Sequence, residues 1–197
     1  KQKVGFVRKG IQPFYLHYKV YEYFYYEMKN SEIILADPRK KIIDTLKVVG
    51  LDISYLNRNI RDLSSSEVKL LQLGAALMFN PEIIVIVDPF ENFDRRFSKN
   101  IMSLFQRMRD SYDKTFVFVS DDINMLYQYA TYLLVGSQKQ ILLEGETKEV
   151  CEQIEVFKKN RIPLPEIVEI TYLLRKKGMK IDYHRDLRDL MKDIYKH

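Results

Sequence analysis

The chain has a single cysteine, Cys151, so no internal disulfide can form, and such usage fits a reducing compartment. No apolar run approaches the ~18 residues of a membrane-spanning helix, so the chain is expected to be soluble, or peripheral to something that is not. The three histidines, His17, His184 and His197, are too scattered for metal-ligand spacing. No Ser/His/Asp or Cys/His set suggests a nucleophile. Nothing matches the Gly-x-x-x-x-Gly-Lys-Ser/Thr loop that cradles phosphates. There is no internal repeat and no low-complexity tract. No signal-peptide pattern opens the chain, and because Lys1 is not an initiator methionine we expect the remainder of something longer.

What is present is an ordinary soluble composition. The 197 residues are 46% hydrophobic and 30% charged, enough for one sizeable core with a possible appendage. The 32 basic residues are interleaved with 27 acidic ones, and a net charge of +5 argues for neither nucleic acid nor an anionic membrane surface.

The most informative stretch is Ile83-Ile84-Val85-Ile86-Val87-Asp88-Pro89. Five consecutive apolar residues predict a strand buried on both faces, ending on a carboxylate. An acid at the carboxyl end of a parallel strand is where α/β folds place chemistry. Upstream, Lys3 to Val7 is a short strand candidate, and a loop from Arg8 to Pro13 leads into an aromatic segment. That segment holds Phe14, Tyr15, Tyr18, Tyr21, Tyr23, Phe24, Tyr25 and Tyr26, and without a Gly-Phe type motif it reads as packing, not base stacking. Asp37-Pro38 starts an amphipathic helix through Ile42, Ile43, Leu46 and Val49 that Gly50 stops. Ser64 and Glu67 form a capping-box pattern before a largely apolar helix that ends at Asn80-Pro81. After the central strand, a helix from about Asp94 to Asp110 buries Phe97, Ile101, Leu104, Phe105 and Met108. A second buried strand, Thr115 to Ser120, ends on Asp121-Asp122. A short helix from Ile123 to Tyr129, a strand from Tyr132 to Val135 and a return at Gln140 to Glu144 complete the pattern. Alternating strands and helices predict an α/β fold with a parallel sheet, while Phe14 to Phe79 is mainly helical. Beyond Asn160 to Pro165, Ile167 to Leu174 is a helix ending near Gly178, and Asp186 to Lys196 has the charge spacing of a solvated helix.

In this order, the chain resembles the nucleotide-binding subunit of an ABC transporter of the energy-coupling factor type. The motifs are Val4-Gly5-Phe6-Val7-Arg8-Lys9 before the glutamine loop, Leu63-Ser64-Ser65-Ser66-Glu67 for the signature, Val87-Asp88-Pro89, Asp94 for the D-loop, and Ser120-Asp121-Asp122 for the switch. Pro163 to Gly178 resembles the C-terminal appendage of such subunits. The resemblance implies a P-loop NTPase-like ABC ATPase core over 1–150, an inserted helical subdomain at about 14–80, and a helical appendage at 151–197. It places the family's phosphate loop upstream of this region, so residues 1–197 alone are expected to hold nucleotide poorly.

The same resemblance implies eroded chemistry. Counted back from Asp94, the magnesium-side aspartate position holds Val87, which offers no oxygen ligand, so no metal residue is assigned. The neighbouring glutamate position holds the shorter Asp88. Sliding the register by one would make Asp88 the magnesium residue and Pro89 the glutamate, but breaks the spacing to Asp94. Lys9 stands at the glutamine-loop position, with Gln12 close by. Asp121 stands at the switch-histidine position. In the signature Ser64 is kept, Ser65 and Ser66 replace glycines, and Glu67 adds an acid. Each also has an ordinary structural reading: Ser64 and Asp94 as helix caps, Asp121 and Asp122 as a loop before a helix, Lys9 as a solvated lysine.

The expected function is a degenerate subunit without competent ATP hydrolysis, cytoplasmic and peripheral on the inner face of the membrane. Its implied partners are a second ABC ATPase subunit, identical or different, and a transmembrane coupling subunit near the loop after Val7 and the aromatic segment. ATP and magnesium bind only if the upstream region or a partner completes the site. The alternatives are the C-terminal part of an ATP-binding ABC ATPase and a soluble regulatory or scaffold pseudo-ATPase.

Overall fold

The structure, a computed structural model, describes residues 4–31, 36–89, 93 and 95–196, the side chains of 95–97 excepted. The chain forms two compact units, Lys1–Val119 and Ser120–His197.

In the first unit, strand β1 (Val4–Val7) leads through a 3-10 turn at Pro13–His17 into helices α1 (Val20–Asn30) and α2 (Pro38–Val48). Two more 3-10 turns, Ile53–Asn57 and Ile60–Asp62, precede α3 (Ser65–Leu77), β2 (Ile83–Val87), α4 (Arg95–Tyr112) and β3 (Thr115–Val119). The three strands form a parallel sheet in the order β1-β2-β3, with Val7 opposite Ile86 and Ile86 opposite Phe118. The expected local signals are in place. Asp37 accepts from the Lys40 amide at 3.0 Å and caps α2, and Gly50 takes the positive φ of 79° that ends it.

One face of the sheet is core. Ile84 and Ile86 are buried, and Phe105 of α4 lies with its ring 4.6 Å from Phe116 and 5.8 Å from Phe118. The other face is open, which corrects the expectation that the central strand is buried on both faces. Ile83 is 37% exposed, and on the same face of the sheet Phe6, Val117 and Val119 are 54%, 42% and 52% exposed. The second expected buried strand, β3, likewise alternates exposed and half-buried residues. A continuous apolar run carries no information on how many of its faces are covered, because both faces are apolar either way.

The aromatic segment is divided between core and surface. Tyr15, Tyr23 and Phe24 are buried, whereas Phe14, Tyr25 and Tyr26 are exposed. Phe24 reaches the helix crossing where Gly74 of α3 faces it: a Cβ on Gly74 would lie 3.2 Å from both Phe24 and Thr45. Gly5 is packed more tightly still, since a Cβ there would lie 2.8 Å from the Ala76 carbonyl oxygen. Glycine lets β1 and α3 approach this closely.

The second unit opens with α5 (Ile123–Tyr129), capped by Asp122, which accepts from the Met125 amide at 3.1 Å. Strands β4 (Tyr132–Ser137) and β5 (Gln140–Glu146) form the expected antiparallel return. Helices α6 (Thr147–Cys151), α7 (Ile154–Lys159), α8 (Glu166–Lys176) and α9 (Leu187–Ile194) follow. Tyr127, Leu133, Cys151, Phe157 and Val168 belong to one core cluster. Within it, burial pushes the Cys151 thiol up to about 12, with Arg185 opposing weakly. The thiolate is the reactive form. Cys151 should therefore resist maleimide in the native chain and react at least a hundredfold faster in denaturant, as read by mass spectrometry. Among the described residues, no helix is long and apolar enough to cross a membrane.

Candidate functional site

The carboxyl ends of β1 and β2 lie side by side because the two strands are parallel neighbours. β1 runs out toward Lys9 and β2 toward Asp88. Asp88 has a left-handed φ of 47°, a conformation aspartate tolerates better than most residues, and its amide still donates to the Val119 carbonyl at 2.8 Å. The Lys9 ammonium lies 3.1 Å from the Asp88 carboxylate. Two residues that sequence alone treats separately, Lys9 and Asp88, are thus joined by an ion pair. Lys9 is not the freely solvated lysine of its ordinary reading.

Beneath this pair is a residue that the sequence reading passed over. Lys69 of α3 is only 6% exposed, and its ammonium donates to the Arg8 carbonyl at 3.0 Å and the Val87 carbonyl at 2.9 Å. A buried charge needs partners, and here they are main-chain oxygens at the ends of both strands. Its sequence signal is a lone lysine among Leu70, Leu71 and Leu73 of an apolar helix. Gln72 makes a similar tie, donating to the Gly10 carbonyl at 2.9 Å. Val87 itself presents no side-chain oxygen.

The segment expected to correspond to the signature, Leu63 to Glu67, leads into and opens α3. Ser64 is the cap: its amide and hydroxyl both donate to Glu67 at 2.8 Å, and its hydroxyl accepts from the Glu67 amide at 3.3 Å. Ser65 opens the helix, and the Ser66 hydroxyl lies 3.2 Å from that of Ser64. The hydroxyl of Tyr55 donates to the other Glu67 oxygen, and Arg58 stands 3.8 Å away with its guanidinium over the Tyr55 ring. That hydrogen bond from Tyr55, aided by the Ser64 amide, holds the Glu67 carboxyl below the usual carboxylate range. Tyr55 and Arg58 carry no motif signal, since they belong to 3-10 turns and loops without periodicity.

Two further expected positions are Asp94 and Asp121. Asp94 lies outside the described residues. Asp121 is exposed in the second unit, in the turn where the Ser120 hydroxyl accepts from the Asp122 amide at 3.1 Å. Among the described residues, no three His, Cys, Asp or Glu side chains are grouped to hold a metal.

Beside the loop after β1 lies a cleft of ≈ 420 Å³ lined by Arg8, Gln12, Phe14, Tyr26 and Glu27 among others. Its aromatic wall is continuous, with Phe14 4.1 Å from Tyr15 and 5.7 Å from Tyr26 between ring centroids. Tyr15 donates to Glu27 across its floor, and burial together with that bond raises the Tyr15 phenol well above its ordinary range.

No family model matches the chain. Curated relatives do. The chain is 25% identical over 182 residues to the energy-coupling factor transporter ATP-binding protein EcfA2 of Streptococcus thermophilus, covering 92% of this chain and 65% of that one. It is 25% identical over 169 residues to EcfA3 of Oenococcus oeni, covering 85% and 58% respectively. The chain thus spans 65% or less of the length of these relatives. Among solved structures, CbiO1 of Clostridium perfringens, part of the ABC transporter complex CbiONQ, superposes with a TM-score of 0.64 at 22% identity, over 86% of this chain and 67% of that one. The dimeric ATP-binding cassette MJ0796 with ADP and phosphate also gives 0.64, at 22% identity over 74% and 63%. In motif order and sequence the chain is thus similar to ATP-binding proteins of energy-coupling factor transporters, and in its parallel-sheet fold to ABC ATPases.

Proposed function

We propose that the chain is part of a nucleotide-binding subunit of an energy-coupling factor type transporter and that it lacks competent ATP hydrolysis. The observation that carries this is the end of β2, where Val87 stands at the magnesium-side position and Asp88 is engaged by Lys9. Hydrolysis in the wider class requires phosphate-cradling amides, a metal ion and a group that orients water. Among the described residues at the strand end, Asp88 is the carboxylate placed for that last role, and an ammonium already holds it. In the signature segment, Glu67 places a negative charge at the α3 N-terminus, where a partner's phosphate would be expected. Asp121, at the switch position, would add another. The domain division at about residue 150, with an appendage beyond it, belongs to the same proposal.

The partners are a second ATPase subunit and a transmembrane subunit; likeness to a dimeric cassette supports the first. The cleft beside β1, with its exposed Phe14 and Tyr26, supports the second, because exposed aromatics bury area at low entropic cost. Location on the cytoplasmic side of the membrane follows from that association. Replacing Phe14, Tyr18 and Tyr26 by serine should reduce recovery of the co-expressed transmembrane subunit at least tenfold; unchanged recovery would sink this reading. The span of 65% of a relative's length favours a second reading, in which the complete polypeptide binds ATP and turns it over. Phosphate release at ordinary transporter rates by that polypeptide would select it.

A further inference from the structure

The resemblance assigns two positions on this chain to contact with magnesium, those of Lys9 and Val87, and neither residue fits the ion. Magnesium takes hard oxygen ligands in near-octahedral geometry, directly or through water. Val87 has no side-chain donor atom, and its main-chain carbonyl accepts from Lys69 at 2.9 Å. Lys9 brings an ammonium, which donates and repels cations. The Asp88 carboxylate, 3.1 Å from that ammonium, is the oxygen-bearing side chain between them.

We infer that this half-site carries its own cation: the Lys9 ammonium, paired with Asp88, fills the charge role of the divalent ion, and the strand end takes up no divalent metal. The inference rests on the family register used above but not on transporter membership. Lys9 is 65% exposed and Asp88 22% exposed, so proximity alone would be weak grounds. The independent ground is the main chain. One buried ammonium, Lys69, ties the Arg8 carbonyl and the Val87 carbonyl, the residues immediately before Lys9 and Asp88. The β1-β2 register sets the same two ends beside each other. Both members of the pair are therefore delivered from a backbone that is clamped, and the pair is built into the fold.

Manganese replaces magnesium as the probe, because it broadens the amide resonances of residues near it. A divalent ion about 5 Å from an ammonium is disfavoured roughly tenfold even in a water-like dielectric. Titrating manganese into the 197-residue chain should therefore broaden the Asp88 amide at about tenfold lower concentration in Lys9→Gln than in the parent chain. Lys9→Gln/Asp88→Asn should lose this broadening. These surface-directed changes leave the hydrophobic core intact, and an unchanged amide spectrum elsewhere checks that. Midpoints within threefold of each other for the parent chain and Lys9→Gln would overturn the inference, as would broadening that survives Asp88→Asn. The readout involves neither nucleotide nor a membrane subunit, so it separates this inference from the transporter reading. Loss of co-recovery without a manganese effect, or the reverse, assigns the failure to one of them.

Discussion

Lys69→Met should lower the unfolding free energy by about 3 kcal/mol, because it removes a buried charged donor that holds two main-chain carbonyl oxygens at the strand ends. The side chain is 6% exposed and methionine matches its volume, so packing changes little and the loss is chiefly that of hydrogen bonds at 3.0 Å and 2.9 Å. Part of the loss is offset, since the ammonium no longer has to be withdrawn from water. Urea unfolding followed by circular dichroism checks the value; with a slope of about 2 kcal/mol/M the midpoint should fall by roughly 1.5 M. Lys69→Arg keeps the charge but must fit a longer, planar group, and should cost about 1 kcal/mol. A midpoint for Lys69→Met within 0.3 M of the parent, taken as roughly the extrapolation error, would mean that the strand ends are not held from below.

Phe24→Ala should cost about 4 kcal/mol, the usual range for deleting a fully buried ring. Its ring is wholly inaccessible and forms the contact between α1 and the glycine of α3. That contact makes a double-substitution cycle informative. In the parent chain Gly74→Ala gains about 1 kcal/mol of helix propensity but forces a methyl to 3.2 Å from Phe24 and Thr45, so the net effect should be near zero. In the Phe24→Ala background the ring is gone, and the same change should recover about 1 kcal/mol. Thermal melts of the four chains measure the coupling. Equal effects of Gly74→Ala in both backgrounds would show that the ring does not set the helix spacing.

Features decided by neighbouring residues were legible in the sequence. Asp37 and Ser64 with Glu67 each cap the helix that follows, and Gly50 and Gly178 take positive φ where helices stop. The parallel sheet followed from the alternation of elements. Coverage of the sheet was not legible, since Ile83 and Ile84 are equally apolar but lie on opposite faces, 37% and 0% exposed. Helices α6 and α7 were also missed, being too short to display a period. At the site, Lys9 and Asp88 each drew attention as departures from a motif. Their pairing depends on which strands are adjacent, and Lys69 belongs to a helix between them in sequence, so nothing local joined the three.

The contact at Gly5 has a mechanical consequence. With a methyl-sized gap already closed against the Ala76 carbonyl, β1 cannot slip along α3, and the Lys69 and Gln72 ties bind the loop after β1 to the same helix. Strand, loop and helix are therefore tied at three points, Gly5 against Ala76, Arg8 against Lys69 and Gly10 against Gln72. The cleft beside that loop is lined by Gln72, Ala75 and Ala76 as well, so a load on its wall would be borne by β1 and α3 together.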